Sequence, residues 1–257
     1  MKIAIIGAGV MGGSIARGLA KGISKDGREI TVSDPSQAQL DRIKTDCPAI
    51  KTTSDNAAAV ADADIVFIVV KPWLVKDVVT PLGLARPKIM VSVAAGVTID
   101  TLSTYVDKTM PIFRIIPNTA ISEGASMTVV ASRNTTKEQV EGITALLSEM
   151  GMALPIDEKL FPTATALTSC GIAYVFKYVQ AAMQAAVEGG FRPKEAQLML
   201  AQTLEGAALM LKKPGSHPSL EIDKVSTPGG LTIKGINELE HNGFSSAIIK
   251  AIKKSEE

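Results

Sequence analysis

A glycine-rich segment near the start of the chain has the spacing of a dinucleotide-binding loop. Gly7–Gly12 reads GAGVMG; it directly follows an apolar run, Ile3–Ile6, and it opens a predicted helix over Met11–Ile23. In such a setting the first glycine permits a tight turn, the second lets the backbone approach a pyrophosphate, and the third allows close helix–strand packing. The unpaired N–H groups at the helix start would then bind the phosphates. A plain glycine turn in an α/β protein is the competing interpretation.

An acidic residue follows about 20 residues later, at the end of the second predicted strand. Asp34 is placed to accept hydrogen bonds from a ribose 2′-hydroxyl and to repel a 2′-phosphate, which favours NADH over NADPH. Ser33, Ser36 and Arg42 are groups that could still serve a phosphate. An ordinary Asp-Pro-Ser turn before a helix is the alternative.

The elements that must position these residues alternate between strand and helix. This order predicts an α/β fold whose N-terminal part is a Rossmann-like doubly wound sheet. The predicted strands are Ile3–Ile6, Ile30–Ser33, Ile65–Val70, Lys88–Val93, Ile112–Ile116, Met127–Ala131 and Met152–Ile156. The predicted helices of this half are Met11–Ile23, Ser36–Lys44, Ser54–Ala61 and Thr136–Met150, with Ser36 and either Ser54 or Asp55 as caps.

The pattern changes near residue 157, after which small and apolar residues recur only at helical spacing. Predicted helices there are Thr163–Glu188, Pro193–Lys212, Thr232–Glu240 and Ser245–Lys254, with a loop at Pro214–Pro218. We therefore predict two domains, residues 1–156 for dinucleotide binding and an all-helical domain at 157–257.

The composition excludes several classes of function. Lys and Arg number 27 against 26 Asp and Glu, so no net charge favours nucleic acid or a membrane surface. No apolar run reaches the roughly 18 residues of a membrane-spanning helix. Cys47 and Cys170 lie far apart and in no metal-binding spacing, which suggests free thiols in a reducing cytoplasm rather than a disulfide.

Four further segments are similar to the pyrroline-5-carboxylate reductase family, which catalyses the last step of proline biosynthesis. They are VVKP at Val69–Pro72, SVAAGV at Ser92–Val97, RIIPNT at Arg114–Thr119 and STPGGLT at Ser226–Thr232. The resemblance spans nearly the whole chain in the family's order, and the last segment is its most specific part. It implies an NAD(P)H-dependent oxidoreductase that acts on a CH–NH group and reduces 1-pyrroline-5-carboxylate to L-proline.

The resemblance also assigns roles to single residues. It implies that the pyrophosphate lies on Gly7, Ala8, Gly9, Val10, Met11 and Gly12, and the adenosine half near Asp34 and Asn56. The nicotinamide half would lie along Val70, Lys71, Pro72, Ala94, Ala95 and Gly96. Gly230, Leu231 and Thr232 would hold the carboxylate and ring nitrogen of the substrate, with Thr232 as the catalytic contact. The helical domain would form a homodimer or larger homo-oligomer and contribute to the substrate site.

The residues agree with imine chemistry, because a protonated iminium needs positioning rather than a strong general acid. His217 lies in a Pro-rich loop and His241 near a helix end, and both are interpreted as surface residues. A hydroxyl such as Thr232 would contact the ring nitrogen. A hydroxy-acid dehydrogenase, in contrast, needs a positioned acid or base such as His or Lys.

Two alternatives stay open at the level of sequence. A β-hydroxyacid dehydrogenase shares the glycine-rich opening and would use a lysine on the first long helix, for which Lys177 is the candidate. A non-catalytic, cofactor-sensing relative is suggested by Cys170 and Ile172, which replace a serine and a proline of the family's pattern. Ser33-Asp34-Pro35 and Ala120 depart from that pattern as well.

Overall fold

The computed structural model describes residues 1–85 and 87–256, which form two compact units, Met1–Ser169 and Cys170–Glu257. The first unit is built on one eight-stranded sheet. Its strands are β1 Lys2–Ile6, β2 Glu29–Ser33, β3 Lys51–Thr53, β4 Ile65–Ile68, β5 Ile89–Ser92, β6 Ile112–Ile116, β7 Ser126–Arg133 and β8 Gly151–Pro155.

The strand order is β3-β2-β1-β4-β5-β6-β7-β8. Strands β1 to β6 pair in parallel, β7 is antiparallel to β6, and β8 is parallel to β7. The chain winds outward in one direction from β1 to β3 and in the other from β4 to β6. The predicted doubly wound sheet is therefore confirmed, and its switch point lies between β1 and β4, where such sheets bind ligands.

The helices of the first unit cover both faces of this sheet. They are α1 Val10–Ala20, α2 Ile23–Asp26, α3 Gln37–Asp46, α4 Asn56–Val60, α5 Val75–Val79, α6 Ile99–Ser103, α7 Lys137–Ser148 and α8 Phe161–Ala164. Successive β1 residues point to opposite faces, so Ile3 and Ile5 enter one buried cluster and Ala4 and Ile6 the other. Both layers are needed because central strands such as β4 are apolar and buried on both sides.

Several predicted boundaries differ from the observed ones. The strand predicted over Ile65–Val70 ends at Ile68, so its last two residues lie in the loop above the sheet. The helix predicted to run on to Ile23 ends at Ala20, and a separate short helix, α2, follows. Strand β3 and helices α5 and α6 are short and were absent from the prediction, because three to five residues carry too little periodicity.

The second unit consists of helices. These are α9 Gly171–Glu188, α10 Pro193–Leu211, α11 Pro218–Val225, α12 Leu231–His241 and α13 Phe244–Lys254. Helix α9 packs against α10, and α12 against α13. The prediction of one helix over Thr163–Glu188 was wrong at its start, because a π-helical stretch, Thr165–Cys170, separates α8 from α9. The two compact units divide after Ser169. The domain boundary that we predicted at 156/157 stays a prediction.

Candidate cofactor site

A cleft of about 800 Å³ lies at the carboxyl ends of β1, β2, β4 and β5, at the switch point of the sheet. Loops from four separate strands converge there because parallel strands all end at the same edge. The lining residues that we also predicted are Gly7, Gly9, Val10, Met11, Gly12, Asp34, Asn56, Val70, Lys71, Pro72, Ala94 and Ala95. The structure therefore brings twelve of the predicted residues to one place.

The geometry of the glycine loop leaves no room for a side chain at two of its glycines. Gly7 has a φ of +106°, and a Cβ on it would lie 2.4 Å from the Val69 carbonyl oxygen. A Cβ on Gly12 would lie 1.9 Å from the Gly7 carbonyl oxygen, so α1 packs directly on the turn that precedes it. Gly9 differs, since a Cβ there would meet no atom within 4 Å. Its open side is the place where a phosphate group can approach the backbone.

The start of α1 offers free donors for such a phosphate. Gly9 is the N-cap residue, no side chain caps the helix, and the first turn carries no acidic residue. The unpaired N–H groups of that turn and the positive end of the helix dipole favour an anion. The loop and helix together therefore fit a pyrophosphate.

Asp34 lies beside this loop and makes two backbone contacts. Its Oδ2 accepts a hydrogen bond from the Ala8 N–H at 2.7 Å, and its Oδ1 accepts one from the Ser36 N–H at 2.8 Å. Ala8 itself is buried and does not line the cleft, so its part is to link the loop to Asp34. The expected Ser36 side-chain cap on α3 is absent, and the Asp34 contact holds only the N-cap residue itself.

Asn56 lies in the same end of the cleft, at the start of α4. The buried Ser33 hydroxyl donates to Asn56 Oδ1 at 2.6 Å, which fixes the amide against the end of β2. Of the two predicted caps for α4, Asp55 is the observed one, because its Oδ1 accepts from the Ala57 and Ala58 N–H groups at 2.8 and 3.2 Å. Asp55 thereby turns the first residue of the helix toward the cleft.

The ends of β4 and β5 form the opposite side of the cleft. Lys71 is exposed and precedes a 3-10 turn, Pro72–Leu74. Ala94 is buried, Ala95 is exposed, and Gly96 follows with a φ of +77° without lining the cleft. Among the described residues that line it, Lys71 is the sole lysine or arginine.

Sequence reasoning missed part of the lining. Gln39, Ser54, Leu74 and Val78 also line the cleft but were not predicted as site residues. Gln39 lies on α3 close after Asp34, and the helix prediction could have placed it near the adenosine end. Val78 lies on α5, a helix too short to be predicted, so no signal pointed to it.

The predicted substrate residues lie in the second unit, at the start of α12. Gly230 is the N-cap residue, and its N–H donates to the Thr227 carbonyl oxygen at 2.9 Å to close a turn. A Cβ on Gly230 would lie 2.5 Å from Thr227 Oγ1. Leu231 and Thr232 are exposed in the first helical turn, which no side chain caps. The turn therefore presents free N–H groups, as an anion site requires, although Thr232 lies inside the helix rather than capping it.

The other candidate acids and bases have simpler roles. His217 is exposed, and its Nδ1 accepts from the Ser219 N–H at 3.3 Å at the start of α11. His241 is exposed at the end of α12. Lys177, the lysine that a hydroxy-acid dehydrogenase would need, is exposed on α9 and donates to Gln180 Oε1 at 2.9 Å. The interpretation of both histidines as surface residues is confirmed within this chain.

The RIIPNT segment makes structural contacts. Arg114 on β6 is buried, lies over the Phe161 ring at 4.6 Å and pairs with Glu158 at 2.8 Å. Asn118 donates from Nδ2 to the Thr168 carbonyl oxygen at 3.0 Å, inside the π-helical stretch. This contact joins the loop after β6 to the π-helical stretch. Both motif residues thus tie the sheet to the segment that follows β8.

A doubly wound sheet with a glycine-loop cleft at its switch point defines a dinucleotide-binding oxidoreductase fold, here followed by a helical unit. Residues 2–96 match the family model described as NADP oxidoreductase, coenzyme F420-dependent. Residues 158–257 match the model described as pyrroline-5-carboxylate reductase dimerisation.

Full-length relatives give the same result. Pyrroline-5-carboxylate reductase 2 of Dictyostelium discoideum is 36% identical over 99% of this chain and 91% of that protein. The chain is 33% identical to pyrroline-5-carboxylate reductase 1 of the same organism and spans 48% of its length. A structure of a pyrroline-5-carboxylate reductase from Coxiella burnetii superposes with a TM-score of 0.91 and 30% identity over 99% of this chain and 95% of that one. The chain belongs to the pyrroline-5-carboxylate reductase family.

A metal-binding cluster and a membrane-spanning helix are both absent from the part of the chain that the structure describes. Within residues 1–85 and 87–256, no three His, Cys, Asp or Glu side chains are grouped as a metal site would need. The helices of the same residues are too short or too polar to cross a lipid bilayer.

Proposed function

We propose that this protein reduces 1-pyrroline-5-carboxylate to L-proline with NAD(P)H. The observation that carries the proposal is the cleft at the switch point, whose open Gly9 and uncapped α1 fit a pyrophosphate. Family membership narrows the substrate to a cyclic imine. When bound there, the cofactor would supply the hydride for the imine carbon.

The chain's own residues have defined tasks in this proposal. The glycine loop and the N–H groups of α1 hold the pyrophosphate, and Asp34 and Asn56 lie by the adenosine half. The residues after β4 and β5, from Val70 to Pro72 and from Ala94 to Gly96, hold the nicotinamide half. At the start of α12, the N–H groups of the first turn bind the substrate carboxylate, and the Thr232 hydroxyl contacts the ring nitrogen.

The active form in this proposal is a homo-oligomer, and its smallest possible form is a dimer. The helical unit matches a dimerisation model and exposes large apolar side chains such as Phe176 and Leu198. A cytoplasmic location is likewise a proposal, and it agrees with the two free cysteines.

The direct test follows the loss of reduced nicotinamide when the purified protein is mixed with NADH or NADPH and 1-pyrroline-5-carboxylate. Formation of L-proline at an enzymatic rate is the expected result. A folded protein that binds the cofactor and reduces no cyclic imine would contradict the proposal and would favour the cofactor-sensing alternative.

A pair of glycine variants separates cofactor binding from folding. Gly9→Ala adds a methyl group that meets no protein atom, so we expect normal stability but weaker binding of NADH by roughly ten-fold or more. Gly12→Ala places its methyl group against the Gly7 carbonyl, so we expect loss of loop structure and of stability together. Thermal melting and calorimetric titration distinguish the two variants, and normal NADH binding by Gly9→Ala would place the pyrophosphate elsewhere.

A second pair of variants tests Thr232. Thr232→Val keeps the side-chain volume but removes the hydroxyl, and we expect kcat/KM for the imine to fall by roughly ten-fold to a hundred-fold. Thr232→Ser retains the hydroxyl and serves as the control, with most of the activity kept. Equal rates in the two variants would remove Thr232 from the substrate site.

A further inference from the structure

At the adenosine end of the cleft the Asp34 carboxylate is held in place, and among the described lining residues the one cation, Lys71, lies at the other side; we propose that Asp34 makes the enzyme select NADH over NADPH. The inference rests on the proposed function, since it names the cofactor of the same reaction. It concerns the segment after the second strand, where this chain carries Ser33-Asp34-Pro35.

The position of the Asp34 carboxylate is held from two sides. One oxygen accepts from the Ala8 N–H and the other from the Ser36 N–H, so the group cannot rotate away from the cleft without losing both hydrogen bonds. A carboxylate has about four acceptor positions, and these contacts use two of them. The remaining two are available to the hydroxyl groups of a ribose.

The described lining residues beside Asp34 carry no positive charge that would compensate a phosphate. The lining residues of this end are neutral apart from Asp34, namely Ser33, Pro35, Gln39, Ser54 and Asn56. The Ser33 hydroxyl is already committed to Asn56 Oδ1 at 2.6 Å. A 2′-phosphate with about two negative charges would therefore meet a carboxylate and, among the described lining residues of this end, no cation.

The basic residues of the neighbouring elements are placed elsewhere. Lys71 follows β4, and β1 lies between β4 and β2, so the two strand ends are roughly 10 Å apart. Arg17 on α1 pairs with Asp46 at 3.1 Å. Arg42 on α3 is exposed and does not line the cleft. The alternative that Arg42 serves a 2′-phosphate thus has no support in the geometry.

The Ala8 contact couples cofactor choice to the shape of the glycine loop. Removing the carboxylate altogether would leave the buried Ala8 N–H without its partner and would disturb the pyrophosphate site as well. Asp34→Asn is therefore the informative substitution, because the amide oxygen can still accept from the buried Ala8 N–H, while the charge and the exposed contact to the Ser36 N–H are lost. The ratio of the two cofactor affinities reports the charge, whereas damage to the loop would lower both affinities together.

The experiment titrates the full-length protein with NADH and with NADPH in a calorimeter, without any imine. We expect the wild-type protein to bind NADH at least ten-fold more tightly than NADPH, because the Asp34 carboxylate and a 2′-phosphate repel each other. Asp34→Asn should reduce that ratio by roughly ten-fold. Asp41→Asn, which removes a charge from the exposed face of α3, is the matched control and should leave the ratio unchanged.

The outcomes separate this inference from the proposed function. Wild-type binding of NADPH as tight as that of NADH overturns the inference, and so does an unchanged ratio in Asp34→Asn. Turnover of the imine driven preferentially by NADPH would leave the reductase proposal intact and overturn the role of Asp34. Selective NADH binding without imine turnover would support the role of Asp34 and contradict the reductase proposal.

Discussion

The two units of this chain differ most in where their apolar side chains lie. Within the described residues, the buried apolar side chains belong to the first unit with one exception, Ala196 on α10. In the second unit Phe176, Phe191 and Leu198 are 63, 50 and 76% exposed. An apolar groove of about 690 Å³ runs between α9 and α10, lined by residues such as Met183 and Leu204.

The difference shows that the first unit contains its own core and the second does not. A helical unit that buries almost nothing cannot offset the entropy of ordering its own chain. Its apolar faces therefore need a second copy, in agreement with the match to a dimerisation model. The cofactor cleft belongs to the self-contained unit, whereas the predicted substrate turn belongs to the unit that depends on assembly.

The largest expected effect comes from opening the core of the first unit. Phe67 on β4 is fully buried, and Phe67→Ala should lower the free energy of unfolding by about 3–5 kcal/mol. Denaturant unfolding at several protein concentrations measures the loss, which should be similar at each concentration. Trp73→Ala removes a ring that is 73% exposed in the same unit and should cost less than about 0.5 kcal/mol. An equal loss of unfolding free energy in the two variants would contradict the view that the first unit is stabilised by its own buried core.

The exposed face of the second unit should respond through assembly. Phe176→Asp places a charge in the α9–α10 groove, and we expect the association free energy to weaken by at least about 2 kcal/mol per copy. Light scattering coupled to size-exclusion chromatography should show a shift toward monomer. Phe176→Leu keeps the face apolar and is the control. A variant Phe176→Asp that remains a stable oligomer would show that this groove is not the interface.

A smaller effect is expected where the sheet is tied to the segment after β8. Glu158 Oε1 accepts from Arg114 at 2.8 Å and from the Ile99 N–H at 2.8 Å. Glu158→Gln leaves the buried guanidinium without its counter-charge and should cost about 1–3 kcal/mol in denaturant unfolding. Glu141→Gln, in an exposed pair with Lys137, should cost less than about 0.5 kcal/mol. A loss no larger than that control would mean that the buried pair adds nothing to stability.

The smallest effect concerns acid stability of the first unit. Arg28, which is 4% exposed, donates hydrogen bonds to Asp26 and lowers the pKa of that carboxyl from 3.8 to about 2. Because the folded pKa lies below the unfolded one, this contribution is present above pH 3.8 and is lost as the pH falls toward about 2. Asp26→Asn lacks the contribution, so the stability difference from wild type should shrink across this window in urea titrations. A difference that stays constant there would contradict the assignment.

Much of the fold and of the cofactor site could be predicted from the sequence. Strand β6 lies at the predicted Ile112–Ile116, and β1, β2 and β5 differ from prediction by one residue at one or both ends, because buried parallel strands are continuous apolar runs. The GAGVMG segment, Asp34 and the ends of β4 and β5 converge because the parallel topology places them at one edge. Their chemical roles remain proposals.

Other features depend on contacts between residues that are far apart in the sequence. The antiparallel direction of β7, the π-helical stretch at Thr165–Cys170 and the support that Asn118 gives to Thr168 have no local signature. The same is true of Val78 in the cleft. Short elements and side-chain pairings of this kind are selected by the packing around them and not by the propensity of their own residues.

The sequence by itself determined the alternation of strands and helices, the glycine-rich turn before α1 and the family. These features depend on local spacing, because a hydrophobic period or three glycines in a turn can be recognised within a short segment. Only the tertiary structure decided that Asp34 holds the Ala8 amide, that Arg114 pairs with Glu158, and that the second unit lacks a core of its own. Those outcomes depend on which surfaces, far apart in the sequence, come into contact and which remain exposed. The spacing of residues along the chain predicts neither.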